Sequence, residues 1–172
     1  MTVEEFIVFA TSPENSDRNF ELINGEVIVM SPGRSTYSRI EAIIAALVYN
    51  FCEAHGLPYN VSVGDGSYRI GNNIVAPDFA YRSADLIDEY PDPVQPEWAV
   101  EIISPNDKAT DVSNKRQIYL RAGILYWEIY YPSQRVDVYA PGKPMKSYFV
   151  GDVLDGGDVL PDFTLEVAKL FV

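Results

Sequence analysis

The segment from residue 97 to residue 131 restricts the fold of this chain more than any other. It reads Glu97-Trp98-Ala99-Val100-Glu101-Ile102-Ile103, then the turn Ser104-Pro105-Asn106-Asp107. A helical pattern follows from about Asp111 to Ala122 and stops at Gly123, and Leu125 to Tyr131 is closed by Pro132. Gly just past a periodic stretch is a normal helix stop. Two strands separated by a helix pair in parallel through a right-handed crossover. Two charges sit within this otherwise apolar unit. Glu101 interrupts the interior-strand pattern of 97–103. Lys115 lies on the stripe Val112, Lys115, Tyr119 and Ala122, with Ile118 beside it, the face that should pack on the sheet. Charged side chains are almost never buried without a partner.

Around this unit the chain alternates helices and strands. Thr2-Val3-Glu4-Glu5 matches a capping box and predicts a short helix to about Ala10. Residues 11–18 are polar, contain Pro13 and read as a loop. Phe20 to Ile23, Asn24-Gly25 and Glu26 to Met30 predict a hairpin, because Asn-Gly between apolar runs is the strongest short hairpin signal. Ile40, Ile43, Ile44, Leu47, Val48 and Phe51 predict a helix over 36–54, stopped by Gly56 and Pro58. Strands are expected over 59–63, 67–70 and 74–81, and a polar, Pro-rich loop over 83–96. A further hairpin is expected over Val136 to Tyr139 and Lys146 to Val150, with a short strand or helix around 163–171.

Composition narrows the chemistry. The 172 residues suffice for one domain with a real core, read as 1–172. A single cysteine, Cys52, excludes an intramolecular disulfide, and a single histidine, His55, argues against a zinc centre. The N-terminus carries acids where a signal peptide needs bases, and no apolar run has the length of a membrane span. A cytoplasmic protein is expected. The net charge of −12 argues against nonspecific nucleic-acid binding. The charge is uneven, however. Residues 83–101 and 151–168 are acidic without bases, whereas 108–121 offers Lys108, Lys115, Arg116 and Arg121 against Asp111 alone. A phosphate partner is therefore possible locally.

In the strand expected over 74–81, Ile74, Ala76, Asp78 and Ala80 share a face, with Asp78 its one charge. In 97–103, Ala99, Glu101 and Ile103 share a face. If these strands are neighbours, the two carboxylates meet and need a cation between them. Mg²⁺ suits such a pair, since it takes one or two carboxylates and keeps several waters. Lys115 can reach over the sheet toward both. Each residue also has a plainer reading. Asp111 and Lys115 are spaced for an i,i+4 surface pair, Pro77-Asp78 for a turn, and Glu101 for a salt bridge with an arginine.

Pro77-Asp78, Glu101-Ile102-Ile103 and Lys115 in this order resemble the PD-(D/E)XK nuclease superfamily, and within it the Uma2 branch of bacterial proteins labelled putative restriction endonucleases. Phe20-Glu21-Leu22-Ile23-Asn24-Gly25-Glu26, Ala76-Pro77-Asp78, Val100 to Pro105, Asp111 through Lys115 to Tyr119, and Gly123 with Tyr126-Trp127 carry the likeness, which covers nearly the whole chain. The resemblance implies a mixed α/β, restriction-endonuclease-like fold. Its core runs helix, three strands, helix, strand around a central mixed sheet flanked by helices, with added N-terminal and C-terminal hairpins. It implies a Mg²⁺- or Mn²⁺-dependent endonuclease acting on nucleic acid, DNA first, and a homodimer. Asp78 and Glu101 would bind the metal with the Ile102 carbonyl. Lys115 would be catalytic, Glu21 or Glu41 a supporting acid, and Lys108, Arg116 and Arg121 phosphate contacts. Two positions depart from the pattern. Ile103 stands where the superfamily has lysine, which Lys115 would replace from the helix, and Tyr37 stands where relatives often have histidine. The alternative is an inactive nuclease-fold module that binds protein or nucleic acid.

Overall fold

The computed structural model describes residues 1–172. Its elements are α1 (Val3–Ala10), β1 (Phe20–Ile23), β2 (Glu26–Val29), α2 (Ser35–His55), β3 (Asn60–Val63), β4 (Tyr68–Ile70), β5 (Asn73–Val75), β6 (Phe79–Arg82), β7 (Trp98–Ile103), α3 (Ala109–Arg121), β8 (Leu125–Tyr130), β9 (Arg135–Tyr139), β10 (Lys146–Phe149), β11 (Val153–Gly156) and β12 (Leu160–Glu166), with 3₁₀ turns at Pro13–Asn15 and Val167–Phe171. The main sheet has the order β10-β9-β8-β7-β6-β3. Within it, β7 and β8 pair in parallel around α3 and every other pair is antiparallel. The elements α2, β3, β6, β7, α3 and β8 give the expected core of helix, three strands, helix, strand.

Strand alternation sorts the side chains of β7 and β8. Trp98, Val100, Trp127 and Ile129 join the larger apolar cluster with Ile40, Ile44, Val48 and Cys52 of α2 and Phe163, Leu165 and Leu170 of the C-terminal segment. The α2 residues repeat every four positions, so one stripe of the helix covers the sheet. Ala99 and Tyr126 face the other way, toward Ile118 and Tyr119 of α3 and Ile23, Ile70 and Val75. Glu101 and Glu128 are register partners between these strands, and both are buried on this α3 side.

The strand expected over 74–81 is two strands in two sheets. β5 pairs with β1 and β4, whereas β6 pairs with β3 and β7, and Ala76-Pro77-Asp78 is the connection between them. Pro77 has no N–H for a ladder, which explains the break at that point. The N-terminal hairpin is therefore one half of a four-stranded sheet of order β2-β1-β5-β4. Its turn is as expected: Asn24 (φ 52°) and Gly25 (φ 83°) both take the positive φ of a type I′ loop. At the C-terminus β11 pairs with β12, so the tail is a hairpin followed by a 3₁₀ turn. The loop 83–96 is anchored by Arg82, whose buried guanidinium pairs with Asp92 at 2.9 Å and donates to the carbonyls of Ala84, Asp85 and Val94. No helix is long and apolar enough to cross a membrane.

Candidate active site

Two acids, the buried Glu21 and the half-buried Asp78, complete strand ends that lack a backbone partner. Between β6 and β7 the ladder stops at Phe79 opposite Val100. The next inward-facing N–H, that of Ile102, donates to Asp78 Oδ2 at 2.6 Å. Continuing the register places Ile102 opposite Pro77, which has no N–H to offer the Ile102 carbonyl. Glu21, buried on β1, does the same for the end of β5: its Oε1 accepts the Ala76 N–H at 2.8 Å. A buried backbone N–H without an acceptor is costly, so both carboxylates are fixed by the fold.

Lys115 joins these pieces. Its Nζ lies 2.6 Å from Glu101 Oε1 and 2.9 Å from Glu21 Oε1. The surface pair with Asp111 is replaced by this double contact. One helical turn further on, the Tyr119 hydroxyl donates to the same Glu101 Oε1 at 2.8 Å. Tyr119 was legible in sequence only as an apolar-stripe residue, yet its i+4 spacing from Lys115 on a sheet-facing stripe already pointed to the same place. Both protein contacts of Glu101 fall on Oε1 and the single contact of Asp78 falls on Oδ2, so each carboxylate keeps one oxygen without a protein donor. Neither oxygen is among the sealed, partnerless polar atoms of the interior.

The electrostatics are lopsided. Burial pushes the Asp78 carboxyl up, with Glu21 and Asp107 adding to the rise, against the Ile102 N–H and the Lys115 ammonium. Burial also raises Glu101; Lys115 opposes it, while Asp78 and Glu21 add like charge. Burial works against the Lys115 ammonium, but Glu101 and Glu21 outweigh it and hold it protonated far above its usual range. Glu41, half-buried on α2, is pushed to about 7 by burial, then by Asp78 and Asp65. The ammonium thus has two acids in direct contact, Glu21 and Glu101, with Asp78 beside them.

Arg116, expected at phosphate, is committed elsewhere. Its Nε and Nη2 lie 2.7 and 2.8 Å from the two oxygens of the fully buried Glu128, which also accepts from the Tyr130 and Tyr139 hydroxyls. Lys108, just before α3, and Arg121, in its last turn, are exposed. Ile103 is half-buried at the end of β7. A cavity of about 320 Å³ between Gln95, Ile124, Lys143 and Asp158 contains none of the site residues.

The donor set fits a hard divalent cation. Asp78 and Glu101 each offer an open carboxylate oxygen, and the Ile102 carbonyl has no strand partner on the site side. No three His, Cys, Asp or Glu side chains converge as a metal-ligand group. A pair is enough for Mg²⁺, which binds through one or two carboxylates and retains water.

A core of helix, three strands, helix and strand, with Asp, Glu and Lys at the open end of the central strands, defines the restriction-endonuclease-like class. Residues 3–168 match the Uma2 family, described as "putative restriction endonuclease", and the chain belongs to that family. The solved structure of a "putative nuclease" from Anabaena variabilis superposes with a TM-score of 0.81 at 18% identity, over 99% of this chain and 97% of that one. That likeness shows the shared fold. No curated protein matches the chain.

Proposed function

We propose that the protein is a metal-dependent endonuclease that hydrolyses phosphodiester bonds, with DNA as its substrate. The observation that carries this reading is the imbalance at the site. Asp78 and Glu101 are held with one open oxygen each, and together with Glu21 they face a single ammonium. A phosphodiester would be repelled from such a cluster unless a further cation joined it. Family membership supports nuclease function in general.

Asp78 and Glu101, with the Ile102 carbonyl, would hold Mg²⁺ or Mn²⁺. When bound, that ion lowers the pKa of water and neutralises charge on the phosphoryl oxygens. The chain's own groups do the positioning. The Ile102 N–H fixes Asp78, Tyr119 fixes Glu101, and Lys115 presents an ammonium that stays charged at any working pH. That ammonium orients the attacking water and meets the developing charge of the phosphate. Arg116 Nε and Nη2 are engaged by Glu128, which makes Arg116 the weaker candidate for a phosphate contact. Lys108 and Arg121 remain as candidate backbone contacts. A homodimer belongs to the proposal, and light scattering tests it.

The test is nicking of plasmid DNA with Mg²⁺ or Mn²⁺ by the wild type, Asp78→Ala and Glu101→Ala. Metal-dependent nicking that both substitutions abolish supports the reading; equal nicking by all three proteins refutes it. Ile103 at the usual lysine position and the charge of −12 favour one other reading, a nuclease-fold binding module without activity. Such a module would bind a partner and show no melting shift with millimolar Mn²⁺.

A further inference from the structure

We propose that Glu21 is the positioning residue of this site, holding the Lys115 ammonium and the Ala76-Pro77-Asp78 connection in register rather than binding metal. The inference rests on the reading of Asp78 and Glu101 as the metal pair and assigns the remaining buried acid. Three observations carry it. Glu21 Oε1 has two protein donors, Lys115 Nζ at 2.9 Å and the Ala76 N–H at 2.8 Å. Glu21, Asp78 and Glu101 do not converge as a three-acid ligand group. Lys115 Nζ bridges Glu21 Oε1 at 2.9 Å and Glu101 Oε1 at 2.6 Å, so Glu21 sets where the ammonium stands against the proposed metal ligand.

The arrangement is economical in connections. Ala76 is two residues before Asp78, and its N–H lies where β5 leaves one sheet before β6 enters the other. Lys115 comes from α3, which packs on the same side of the parallel pair as the smaller sheet. One carboxylate on β1 therefore ties the end of β5, two residues before Asp78, to the ammonium carried by α3. Without the Glu21 charge, Lys115 keeps one anionic partner and gains freedom to swing along the rim of the site. A lysine side chain has several rotatable bonds and loses much rotamer entropy when held.

Glu21→Gln isolates the charge. The glutamine oxygen still accepts the Ala76 N–H, so the strand end stays satisfied while the ammonium loses one of its two anionic partners. Three readouts decide. In metal-free protein, the Lys115 ammonium NMR signal should be slow-exchanging in the wild type and should broaden or vanish in Glu21→Gln. The melting shift produced by Mn²⁺ should persist in Glu21→Gln and disappear in Glu101→Gln. Nicking should lose about 100-fold in kcat with KM within about twofold, the scale of a displaced electrostatic stabiliser. Loss of the Mn²⁺ shift in Glu21→Gln would make Glu21 a metal ligand and overturn the proposal. An unchanged Lys115 signal with unchanged turnover would overturn it too. If Glu21→Gln fails to fold by circular dichroism, Glu21→Asp, which withdraws the charge without removing it, should move the same readouts in the same direction. A wild type that neither nicks DNA nor responds to Mn²⁺ would sink the nuclease reading. The metal-free Lys115 signal would still decide whether Glu21 holds the ammonium.

Discussion

Lys115 on α3 and Glu101 on β7 meet at 2.6 Å, on the carboxylate oxygen that also accepts the Tyr119 hydroxyl. Two residues of one helix face, four apart, therefore fix one oxygen of the acid and turn the other toward the site. Ile103, at the end of β7, is free to be apolar because the ammonium arrives from above the strand.

Tyr119→Phe should remove one of these two contacts while keeping the ring in its stack with Tyr126. A hydrogen bond to a charged acceptor contributes roughly 1.5–3 kcal/mol. Urea unfolding should show a loss of that order, and the Mn²⁺ melting shift should shrink because Glu101 rotates more freely.

Glu41 gives a pH-dependent prediction. Its carboxyl is raised from the ordinary 4.5 to about 7 by burial, then by Asp78 and Asp65. The folded state therefore holds a proton that the unfolded chain has already released in this window. The stability from that proton is complete below about pH 4.5 and is lost as pH rises through about 7. Glu41→Gln should melt higher than the wild type at pH 8 and equal it near pH 4.5. Half-exposure limits the gain to on the order of 1 kcal/mol. Melting curves across pH check the sign, and a gain at pH 4.5 instead of pH 8 would contradict it.

Arg116→Ala should be strongly destabilising. It strands the Glu128 carboxylate, which is fully buried and register-paired with Glu101. Removing one partner of a buried ion pair costs about 3–5 kcal/mol. Replacing Arg116 by Met together with Glu128 by Leu should recover much of that loss in urea titrations, because no unpaired charge remains.

Ile44→Ala tests the opposite layer. Ile44 is fully buried where α2 meets the main sheet, and truncation of such a side chain costs about 2–5 kcal/mol. The Mn²⁺ shift should survive in the folded fraction, since Ile44 packs with Trp98 and Val100 on the face of β7 opposite Glu101.

Much of this protein was written in local pattern. The capping box of α1, the Asn24-Gly25 turn, the four-residue stripe of α2 and the β7–α3–β8 crossover follow from periodicity and turn chemistry, which act over a few neighbouring residues. Asp78, Glu101 and Lys115 were visible because a charge inside an apolar pattern is expensive unless it has a partner. Partnership itself is a long-range matter, and only the tertiary structure decided it. Sequence left Lys115 open to Asp111, four residues away, whereas the fold gives it Glu21 and Glu101, 94 and 14 positions distant. Arg116, equally plausible as a phosphate contact, is taken by Glu128 because β8 places that acid beneath α3. The expected strand over 74–81 divides between two sheets because Pro77 cannot continue a ladder, and side-chain oxygens of Glu21 and Asp78 take the N–H groups left open on either side. Propensity and period fixed which segments are helix or strand; the demand that every buried charge and N–H find a partner fixed how they meet.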